Sequence, residues 1–427
     1  MTSELSAPYS EAFVWVWLPR ETEPVVAGRL SKSGARLIFN YGRSYLARPN
    51  AIALHETELP LQEGILPLLP GLTMPGCIRD ASPDAWGRRV LMSRRLKTVG
   101  QPSVPSLDLD ELSCLLESGS DRTGALDFQR SPSVYEPRQA QAASLQDLMR
   151  AASRIEQGTP LPLELQEALL HGTSLGGARP KALIDDRDKK YIAKFSSSAD
   201  LFPVVKAEYV AMRLAARAGL NVASVSLRRT MGKDVLLVQR FDRERREGGW
   251  SRRAMISALT LQQLDEMMAR YASYEKLAEI IRLRAADAKA GLRELFSRMV
   301  FNVLCGNTDD HARNHSVFWD GKSLDLTPAY DICPQSRTGE EATQAMLIAG
   351  NDRSSRIVSC IAAAPSFLLR RPEAIQIVRR QIDIIKSEWD SICDDAGLSQ
   401  VDRMQFWRRQ FLNPYAFVDA PAEWGLN

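Results

Sequence analysis

The sequence has no long apolar segment and no paired cysteines. No apolar run approaches the about 20 residues that a helix needs to cross a bilayer. The first residues, MTSELSAPYSEAF, lack the charged-then-apolar pattern of a signal peptide. The six cysteines are scattered without a C-x-x-C pair, which argues against a zinc ribbon or a disulfide framework. We therefore expect a cytoplasmic protein with reduced cysteines and no membrane partner.

The sequence also lacks an excess of charge of one sign. Its 55 basic and 52 acidic residues leave a net charge of +3, which is too small to predict nucleic-acid binding from charge alone. Hydrophobic residues make up 44% and charged residues 25%, an ordinary globular composition, and 427 residues suffice for two or three domains. We expect the local arginine clusters, Arg240 to Arg246 and Arg370-Arg371, to be solvated faces.

Changes in residue pattern along the chain indicate three regions. Short runs such as FVWVWL, PVVAGRL and ARLIFNY predict a small β-rich subdomain, and a helix is expected around Trp86 to Leu96. After Trp250 the apolar residues recur at three- and four-residue spacing, which is typical of helices. Stretches rich in proline and serine, at 100–109 and 131–137, are candidate boundary loops. We predict domains at residues 1–130, 131–246 and 247–427.

The segment GNTDDHARNH (306–315) carries the pattern D-x-x-x-x-N, formed by Asp309 and Asn314, and Asp331 follows in LTPAYDIC (326–333). In protein kinases this spacing lets an Asp accept the proton of the substrate hydroxyl, while the Asn and a later Asp hold magnesium on the ATP phosphates. Asp, Asn and Thr are also common in ordinary turns, so the segment alone does not decide between the two interpretations.

A glycine-containing loop lies upstream, in the segment SLGGARPK that runs from Ser174 to Lys181. Adjacent Gly176 and Gly177 would let backbone N–H groups approach phosphate oxygens, and Lys181 would add positive charge. The run YIAKF that follows reads as a buried strand that carries Lys194. The alternative is a hairpin turn with solvated lysines.

The next elements complete the order that is typical of an ATP site. Apolar residues at helical spacing over 206–215 predict a helix that carries Glu208, and a strand Lys paired with a helix Glu orients the phosphates in kinases. The strand VLLVQ, ending at Gln239, then leads into Arg240 and Phe241, where a hinge between two lobes is expected. The five elements in this order favour an ATP site although each alone is weak.

A zinc site is the main competitor within the same loop. His311 and His315 lie four residues apart and could share one helical face, with Cys305 or Asp309 nearby. The H-E-x-x-H arrangement fails because Ala312 stands where the catalytic base is needed. A zinc site would also leave the glycine loop and Lys194 without a role.

The segments SLGGARPKA, LLVQRFDR, GNTDDHARNH and LTPAYD resemble signature segments of the HipA family. Its members are bacterial serine/threonine kinases that act as toxins of type II toxin–antitoxin modules. The resemblance extends to DASPDAWGRR (80–89) and DRTGAL (121–126) and covers roughly residues 10 to 390. It implies a two-lobed, protein-kinase-like α/β (α+β) fold. A β-rich amino-terminal subdomain, a mixed small lobe and an all-helical carboxy-terminal lobe would make up this fold.

The resemblance also implies roles for individual residues, with ATP and Mg²⁺ as cofactors. Asp309 would be the catalytic base, Asn314 and Asp331 the magnesium ligands, and Lys194 the phosphate-pairing lysine. Gln239, Arg240 and Phe241 would lie beside adenine. Ser174 matches a serine that some members autophosphorylate. Thr308 and the sequence Asp331-Ile332-Cys333 depart from the H-R-D and D-F-G motifs of eukaryotic kinases, which puts regulation by a phosphorylated activation loop in doubt.

Three functions remain open on the sequence. The first is a serine/threonine kinase toxin that is neutralised by a small helix-turn-helix antitoxin (HipB-like), contacts operator DNA mainly through it, and phosphorylates a translation-related protein such as an aminoacyl-tRNA synthetase. The second is a small-molecule or lipid phosphotransferase on the same scaffold. The third is an inactive DNA-binding partner subunit, which the joint presence of Asp309, Asn314, Asp331 and Lys194 argues against.

Overall fold

The computed structural model describes residues 9–98, 109–138, 143–159, 162, 165, 177, 179–197, 200–337 and 339–426. The chain divides into two compact units. The first consists of Met1–Ser198 together with Asp242–Met255, and the second of Ala199–Phe241 together with Ile256–Asn427. The chain therefore leaves the first unit and re-enters it once. The domain limits predicted at residues 130 and 246 stay a prediction.

A five-stranded antiparallel sheet forms the amino-terminal part of the first unit. Its strands, in spatial order, are Ile65–Leu66, Arg36–Tyr41, Val25–Ser33, Glu11–Val16 and Leu126–Gln129. Alternate residues of Glu11–Val16 are buried in the core, as the period of a strand requires. Gly28 is needed because a Cβ there would overlap the Asn40 carbonyl oxygen of the neighbouring strand. The predicted β-rich subdomain is confirmed.

The described residues of the first unit also form five helices and two hairpins. The helices are Arg43–Leu46, Gly76–Arg79, Ala85–Thr98, Glu111–Glu117 and Leu145–Glu156. Side chains that favour helix starts cap two of them: Asp110 accepts a bond from the Ser113 N–H, and Ser144 accepts one from the Asp147 N–H. The hairpins are Lys181–Asp186 with Lys189–Phe195, and Arg243–Arg246 with Gly249–Arg252.

A buried network of opposite charges holds the first unit together. Arg122 and Asp127 are both 0% exposed, and Arg122 Nε lies 3.0 Å from Asp127 Oδ1, which also accepts a bond from Arg138 at 2.9 Å. Burial favours the neutral acid, but the charges of Arg122 and Arg138 outweigh it and lower the pKa of Asp127. The carboxylate is therefore charged and fully paired at neutral pH.

The prediction of a solvated face for Arg240 to Arg246 is wrong at two positions. Arg240 is 5% and Arg243 6% exposed. Arg243 donates bonds to Asp121 Oδ1 at 3.0 and 2.8 Å, to the Gly124 carbonyl at 2.8 Å and to Asp242 Oδ2 at 2.9 Å. Because Asp121 and Gly124 lie more than 100 residues away in sequence, the arginine pattern alone could not reveal the burial.

The second unit is mainly helical. Its helices are Val204–Arg217, Ala258–Leu261, Tyr274–Arg284, Ala288–Cys305, Ile357–Ala363, Arg371–Asp395 and Gln400–Phe406. The helix Ala288–Cys305 is buried along most of its length, and Gln381 on the helix Arg371–Asp395 donates a bond to the Ser297 carbonyl at 2.9 Å. No helix among the described residues is long and apolar enough to span a membrane.

Two hairpins accompany these helices. Val225–Thr230 pairs with Lys233–Gln239, and Ser316–Trp319 pairs with Leu324–Leu326. A further strand, Ala254–Ser257, crosses the boundary between the two units. The hairpin at 316–326 corrects the expectation of an all-helical carboxy-terminal lobe: its two strands have only four and three residues, too short for a clear alternation in sequence.

Candidate active site

The loop GNTDDHARNH begins where the helix Ala288–Cys305 ends. Gly306 adopts a left-handed conformation with φ +71° and caps the helix. A Cβ at this position would lie 2.7 Å from the Gln410 carbonyl oxygen, so both the backbone angle and the close packing require glycine. The chain direction of the loop is therefore set by the end of a buried helix.

The two adjacent aspartates of the loop have opposite environments. Asp309 is exposed, whereas Asp310 is 2% exposed and points into the core. The Asn314 side-chain amide donates to the Asp309 carbonyl at 3.3 Å, across a short 3₁₀ turn formed by Ala312–Asn314. The structure therefore brings Asp309 and Asn314 together and leaves the Asp309 carboxylate accessible from solvent.

Asp331 lies in a segment that is bonded to the same loop on both sides. Before it, the Tyr330 hydroxyl donates to the Arg313 carbonyl at 2.8 Å; after it, the Gln335 N–H donates to the Gly306 carbonyl at 3.0 Å. Asp331 itself has φ +58°, an unusual conformation for a residue with a Cβ. Such strain occurs at functional sites, where the surrounding structure enforces it.

The pKa of Asp309 is raised above its ordinary value. Partial desolvation is the main cause; His311 acts in the opposite direction, and the negative charges of Asp331 and Asp310 raise the pKa further. Asp309 and Asp331 are thus close enough to repel each other. A divalent cation would relieve this repulsion, and carboxylate and amide oxygens are ligands that Mg²⁺ accepts. The residues present therefore fit a site for Mg²⁺ carried by nucleotide phosphates.

Aromatic rings flank the end of the strand Lys233–Gln239. The ring centroid of Phe241 lies 5.7 Å from that of Tyr330 and 6.0 Å from that of Phe318. Phe241 is therefore packed on residues adjacent to the Asp331 segment, while Gln239 is partly exposed. An aromatic and amide lining of this kind can accept a planar base. The assignment of Gln239, Arg240 and Phe241 to adenine stays a prediction.

The lysines of the predicted phosphate site lie opposite each other in the first unit. Lys181 and Lys194 are cross-strand partners in the hairpin, so both side chains leave the same face. Lys181 is only 4% exposed, and its backbone carbonyl accepts a bond from Trp86 Nε1 at 3.1 Å. Gly177 has φ +101°, and a Cβ there would overlap the Lys181 ammonium group. Lys181 therefore packs directly against the glycine loop.

Some predicted site residues cannot be placed relative to one another. Ser174 and Gly176 lie outside the described residues. Glu208 is 2% exposed on the helix Val204–Arg217, which begins and ends two residues beyond the predicted range. It belongs to the second unit and Lys194 to the first, so their pairing stays a prediction.

The geometry does not support a zinc site at His311 and His315. Both residues have extended backbones and flank the 3₁₀ turn, so they do not share a helical face. His315 Nε2 lies 2.8 Å from Asp310 Oδ1 in the core. Within the part of the chain that the structure describes, no three His, Cys, Asp or Glu side chains are grouped to hold a metal ion.

The residues beneath the loop were not predicted from the sequence. Asp310 accepts bonds from the Tyr274 hydroxyl and from His315, and Asn302 donates to Tyr274 at 3.4 Å. Asp310 lies off the D-x-x-x-x-N register, so the pattern assigns no role to it. The repeated aspartate and the histidine five residues later were the available signal, but Tyr274 is separated from Asp310 by 36 positions.

Two family models match the chain. The family model described as the HipA N-terminal domain matches residues 16–129, and the model described as the HipA-like C-terminal domain matches residues 173–389. The chain is 30% identical over 314 residues to a Sinorhizobium fredii protein named "Putative kinase Y4mE", an alignment that covers 65% of this chain and 69% of that protein.

The protein is also similar to a HipA toxin. It is 26% identical over 241 residues to the serine/threonine-protein kinase toxin HipA of Shewanella oneidensis, covering 50% of this chain and 54% of the toxin. The solved complex of Shewanella oneidensis MR-1 HipA with HipB and its operator DNA matches with a TM-score of 0.68 and 19% identity, covering 96% of this chain and 100% of the matched chain. This likeness shows the fold.

The fold and the site define a kinase-like enzyme with a two-lobed α/β architecture. The chain belongs to the HipA family, as its two family-model matches and its relatives show. The resemblance stated from the signature segments and the fold class derived from it are both confirmed.

Proposed function

We propose that this protein is an ATP-dependent serine/threonine protein kinase and the toxin of a HipA/HipB-like toxin–antitoxin module. The observation that carries the proposal is the arrangement in the second unit. An exposed Asp309 lies beside Asn314, and its pKa is raised by partial desolvation and further by the nearby charges of Asp331 and Asp310. These three residue types, at this spacing, are those that protein kinases use for phosphoryl transfer.

Each side chain has a distinct role in the proposed reaction. Asp309 accepts the proton of a serine or threonine hydroxyl as that oxygen attacks, which its exposure supports because the acceptor must reach it from solvent. ATP supplies the γ-phosphoryl group, and the bond from its phosphorus to the bridging β-phosphate oxygen breaks as ADP leaves. Asn314 and Asp331 would hold the Mg²⁺ that accompanies the phosphates. The raised pKa of Asp309 makes it a better proton acceptor once it is ionised.

The remaining predicted residues would bind the nucleotide. Gly176 and Gly177 would present backbone N–H groups, Lys181 would support the loop or reach the phosphates, and Lys194 would pair with the phosphates while Glu208 orients it. The positive φ of Gly177 and the shared face of Lys181 and Lys194 support this assignment. Gln239, Arg240 and Phe241 would contact adenine.

Ser174 is the proposed autophosphorylation site. A phosphate at the start of the glycine loop would add nearly two negative charges where the loop must receive an anionic nucleotide, and would silence the enzyme. Intact mass and peptide mapping after incubation with Mg-ATP test this. We expect one added phosphate on Ser174 in the wild type, none in Asp309→Asn, and falling activity as occupancy rises. Full activity with Ser174 modified, or Ser174 unmodified after long incubation, contradicts the switch.

The partners follow from the relatives. The matched Shewanella structure contains HipA, HipB and operator DNA. We propose a HipB-like helix-turn-helix antitoxin for this chain, with operator DNA contacted mainly through the antitoxin. A cytoplasmic location and an acceptor in translation, such as an aminoacyl-tRNA synthetase, complete the proposal.

Transfer of label from ATP tests the activity and its class. Wild type and Asp309→Asn are incubated with γ-labelled ATP, Mg²⁺ and cell lysate, and the protein, lipid and soluble fractions are separated. Label on a protein band in the wild type alone supports the kinase. Label only in a lipid or a soluble metabolite identifies a phosphotransferase on the same scaffold, and no transfer or hydrolysis by the wild type overturns the enzyme assignment. Phosphoproteomics after induction, with the same control, then identifies the acceptor.

A further inference from the structure

A buried polar cluster lies directly beneath the loop that carries Asp309 and Asn314. Asp310 is 2%, His315 3% and Tyr274 0% exposed. The Tyr274 hydroxyl donates to Asp310 Oδ2, His315 Nε2 lies 2.8 Å from Asp310 Oδ1, and the same histidine nitrogen lies 3.3 Å from the Tyr274 oxygen. The three side chains therefore form a closed triangle of polar contacts, which we call the clasp.

The clasp is anchored in the surrounding structure. Asn302, on the helix Ala288–Cys305, donates to the Tyr274 hydroxyl at 3.4 Å, and Asn307 donates to Asn302 at 3.1 Å. The Tyr274 backbone N–H donates to the Leu347 carbonyl at 2.9 Å. Tyr274 thus connects the loop both to a buried helix and to the chain that follows the Asp331 segment.

The hydroxyl of Tyr274 stays protonated and can therefore donate a hydrogen bond. Burial, and next the charge of Asp310, raise the pKa of Tyr274 well above its ordinary value, so the hydroxyl keeps its proton. A protonated phenol that faces a buried carboxylate makes a charge-assisted hydrogen bond, which is about twice as strong as a neutral one. Breaking it leaves a buried charge less well satisfied.

The clasp joins residues 310 and 315, each one position after a proposed functional residue at 309 and 314. The side-chain bond therefore closes the loop with the same span as the D-x-x-x-x-N pattern. We propose that Tyr274, Asp310 and His315 are positioning residues that fix the separation between the Asp309 carboxylate and the Asn314 amide. This inference rests on the proposed kinase function. It explains how the metal-binding and proton-accepting groups of the site are kept at a fixed separation.

Loss of the clasp is expected to affect magnesium binding and turnover more than nucleotide contacts. Partners that orient metal ligands typically contribute about 10- to 100-fold in metal affinity or activity. A displacement of about 1 Å at a reacting group can cost about 100-fold in rate. We therefore expect Tyr274→Phe to lower kcat about 10-fold or more and to raise the half-saturating Mg²⁺ concentration similarly. At saturating Mg²⁺, the KM for ATP stays within about threefold.

Substitutions at Asp310 separate geometry from folding. Asp310→Ala removes both bonds of the clasp, and we expect it to reproduce or exceed the defect of Tyr274→Phe. Asp310→Asn keeps the shape and can still accept from Tyr274 and bond to His315, so it should restore most of kcat and of the Mg²⁺ affinity relative to alanine. Tyr45→Phe is the matched control, because Tyr45 is also 0% exposed and its hydroxyl donates to the Ile52 carbonyl at 2.8 Å in the other unit. It should lower Tm without changing kcat or the Mg²⁺ requirement.

The measurements are kcat, KM for ATP, the half-saturating Mg²⁺ concentration, and the Mg²⁺-dependent increase in Tm with ATP, which needs no turnover. Two results would contradict the proposed role of the clasp. One is that Tyr274→Phe and Asp310→Ala fold and keep kcat and the half-saturating Mg²⁺ concentration within about twofold of the wild type. The other is that Asp310→Asn is as defective as Asp310→Ala. If Tyr274→Phe does not fold, the two Asp310 variants decide. If the wild type binds Mg-ATP without transferring phosphate, the proposed function fails while the Tm measurement still tests the clasp.

Discussion

The buried charges of the first unit and the acidic loop of the second unit both contain aspartate, but the pKa of the aspartate is shifted in opposite directions. In the first unit, Asp127 lies against Arg122 and Arg138, and its pKa is lowered. In the second unit, the pKa of Asp309 is raised by partial desolvation, and the nearby charges of Asp331 and Asp310 raise it further. A carboxylate that has its counter-ions inside the fold stabilises the fold. A carboxylate repelled by its neighbours is poised for a cation and a proton that come from outside.

The largest expected effect concerns the repelled carboxylates. Asp309→Asn or Asp331→Asn should lower phosphotransfer by several orders of magnitude, since general bases alone contribute about 10²- to 10⁴-fold and a metal ligand adds to this. Tm should stay the same or rise, because one of two repelling charges is removed. Initial rates with labelled ATP and thermal melts check both. Activity within about threefold of the wild type would falsify the assignment of the site.

For Asp127, the paired carboxylate, we expect that disturbing the site lowers the stability of the fold. Arg122→Ala leaves Asp127 buried with one counter-ion fewer, and we expect a loss of about 3–5 kcal/mol in the free energy of unfolding. The double variant Arg122→Met, Asp127→Leu should lose less, because no fully buried charge remains unpaired and only the partly exposed Arg138 loses its carboxylate. Denaturant melts give these values. A loss in the double variant that equals or exceeds that in Arg122→Ala would argue against pairing as the cause.

The pH dependence of stability sharpens the same contrast. Because the folded-state pKa of Asp127 is lowered, its contribution to stability is fully present above the unfolded-state pKa and is lost as pH falls through the folded-state pKa. Asp127→Asn should therefore flatten the acid side of a plot of unfolding free energy against pH. Denaturant melts of the wild type and the variant over the acid range measure this. An unchanged slope contradicts it.

A smaller effect is expected for the proposed pair of Lys194 and Glu208. In a double-mutant cycle on ATP binding, Lys194→Met and Glu208→Gln should show a coupling energy of about 0.5–3 kcal/mol. Lys194→Arg should not rescue binding, since a planar fork replaces a compact ammonium group. Titration calorimetry gives the four affinities. Simple additivity of the two single effects would show that the strand lysine and the helix glutamate do not act together.

The smallest effect is a shift in the acid limb of the activity profile. Asp309 must be ionised to accept a proton, and its raised pKa means that activity falls on acidification before an ordinary aspartate would protonate. Raising Mg²⁺ from limiting to saturating concentration should move this limb to lower pH, because the cation favours the charged form. Profiles of kcat/KM at two Mg²⁺ concentrations show the shift, and superimposable limbs contradict it.

Local patterns in the sequence predicted helices and strands but not the long-range contacts. The short apolar run FVWVWL predicted a strand where Glu11–Val16 lies, and helical spacing predicted the helix Val204–Arg217 to within two residues at each end. The loop residues Asp309 and Asn314 were singled out because the kinase pattern proposed for them depends on spacing along the chain. Arg243 was misjudged because its partner Asp121 is 122 positions away. The partners of Asp310 were invisible for the same reason, since no short pattern relates Tyr274 to it.

The left-handed backbone of Asp331 has a further consequence for how this protein can change. A residue with a Cβ loses roughly 1–2 kcal/mol in this conformation, and glycine would relieve that strain. Improvement of folding alone would therefore favour glycine at position 331, while the proposed activity requires the carboxylate. Laboratory selection for heat resistance without selection for activity should enrich Asp331→Gly, producing robust but inert proteins. On the proposed function, aspartate at position 331 weakens folding and supplies a metal ligand.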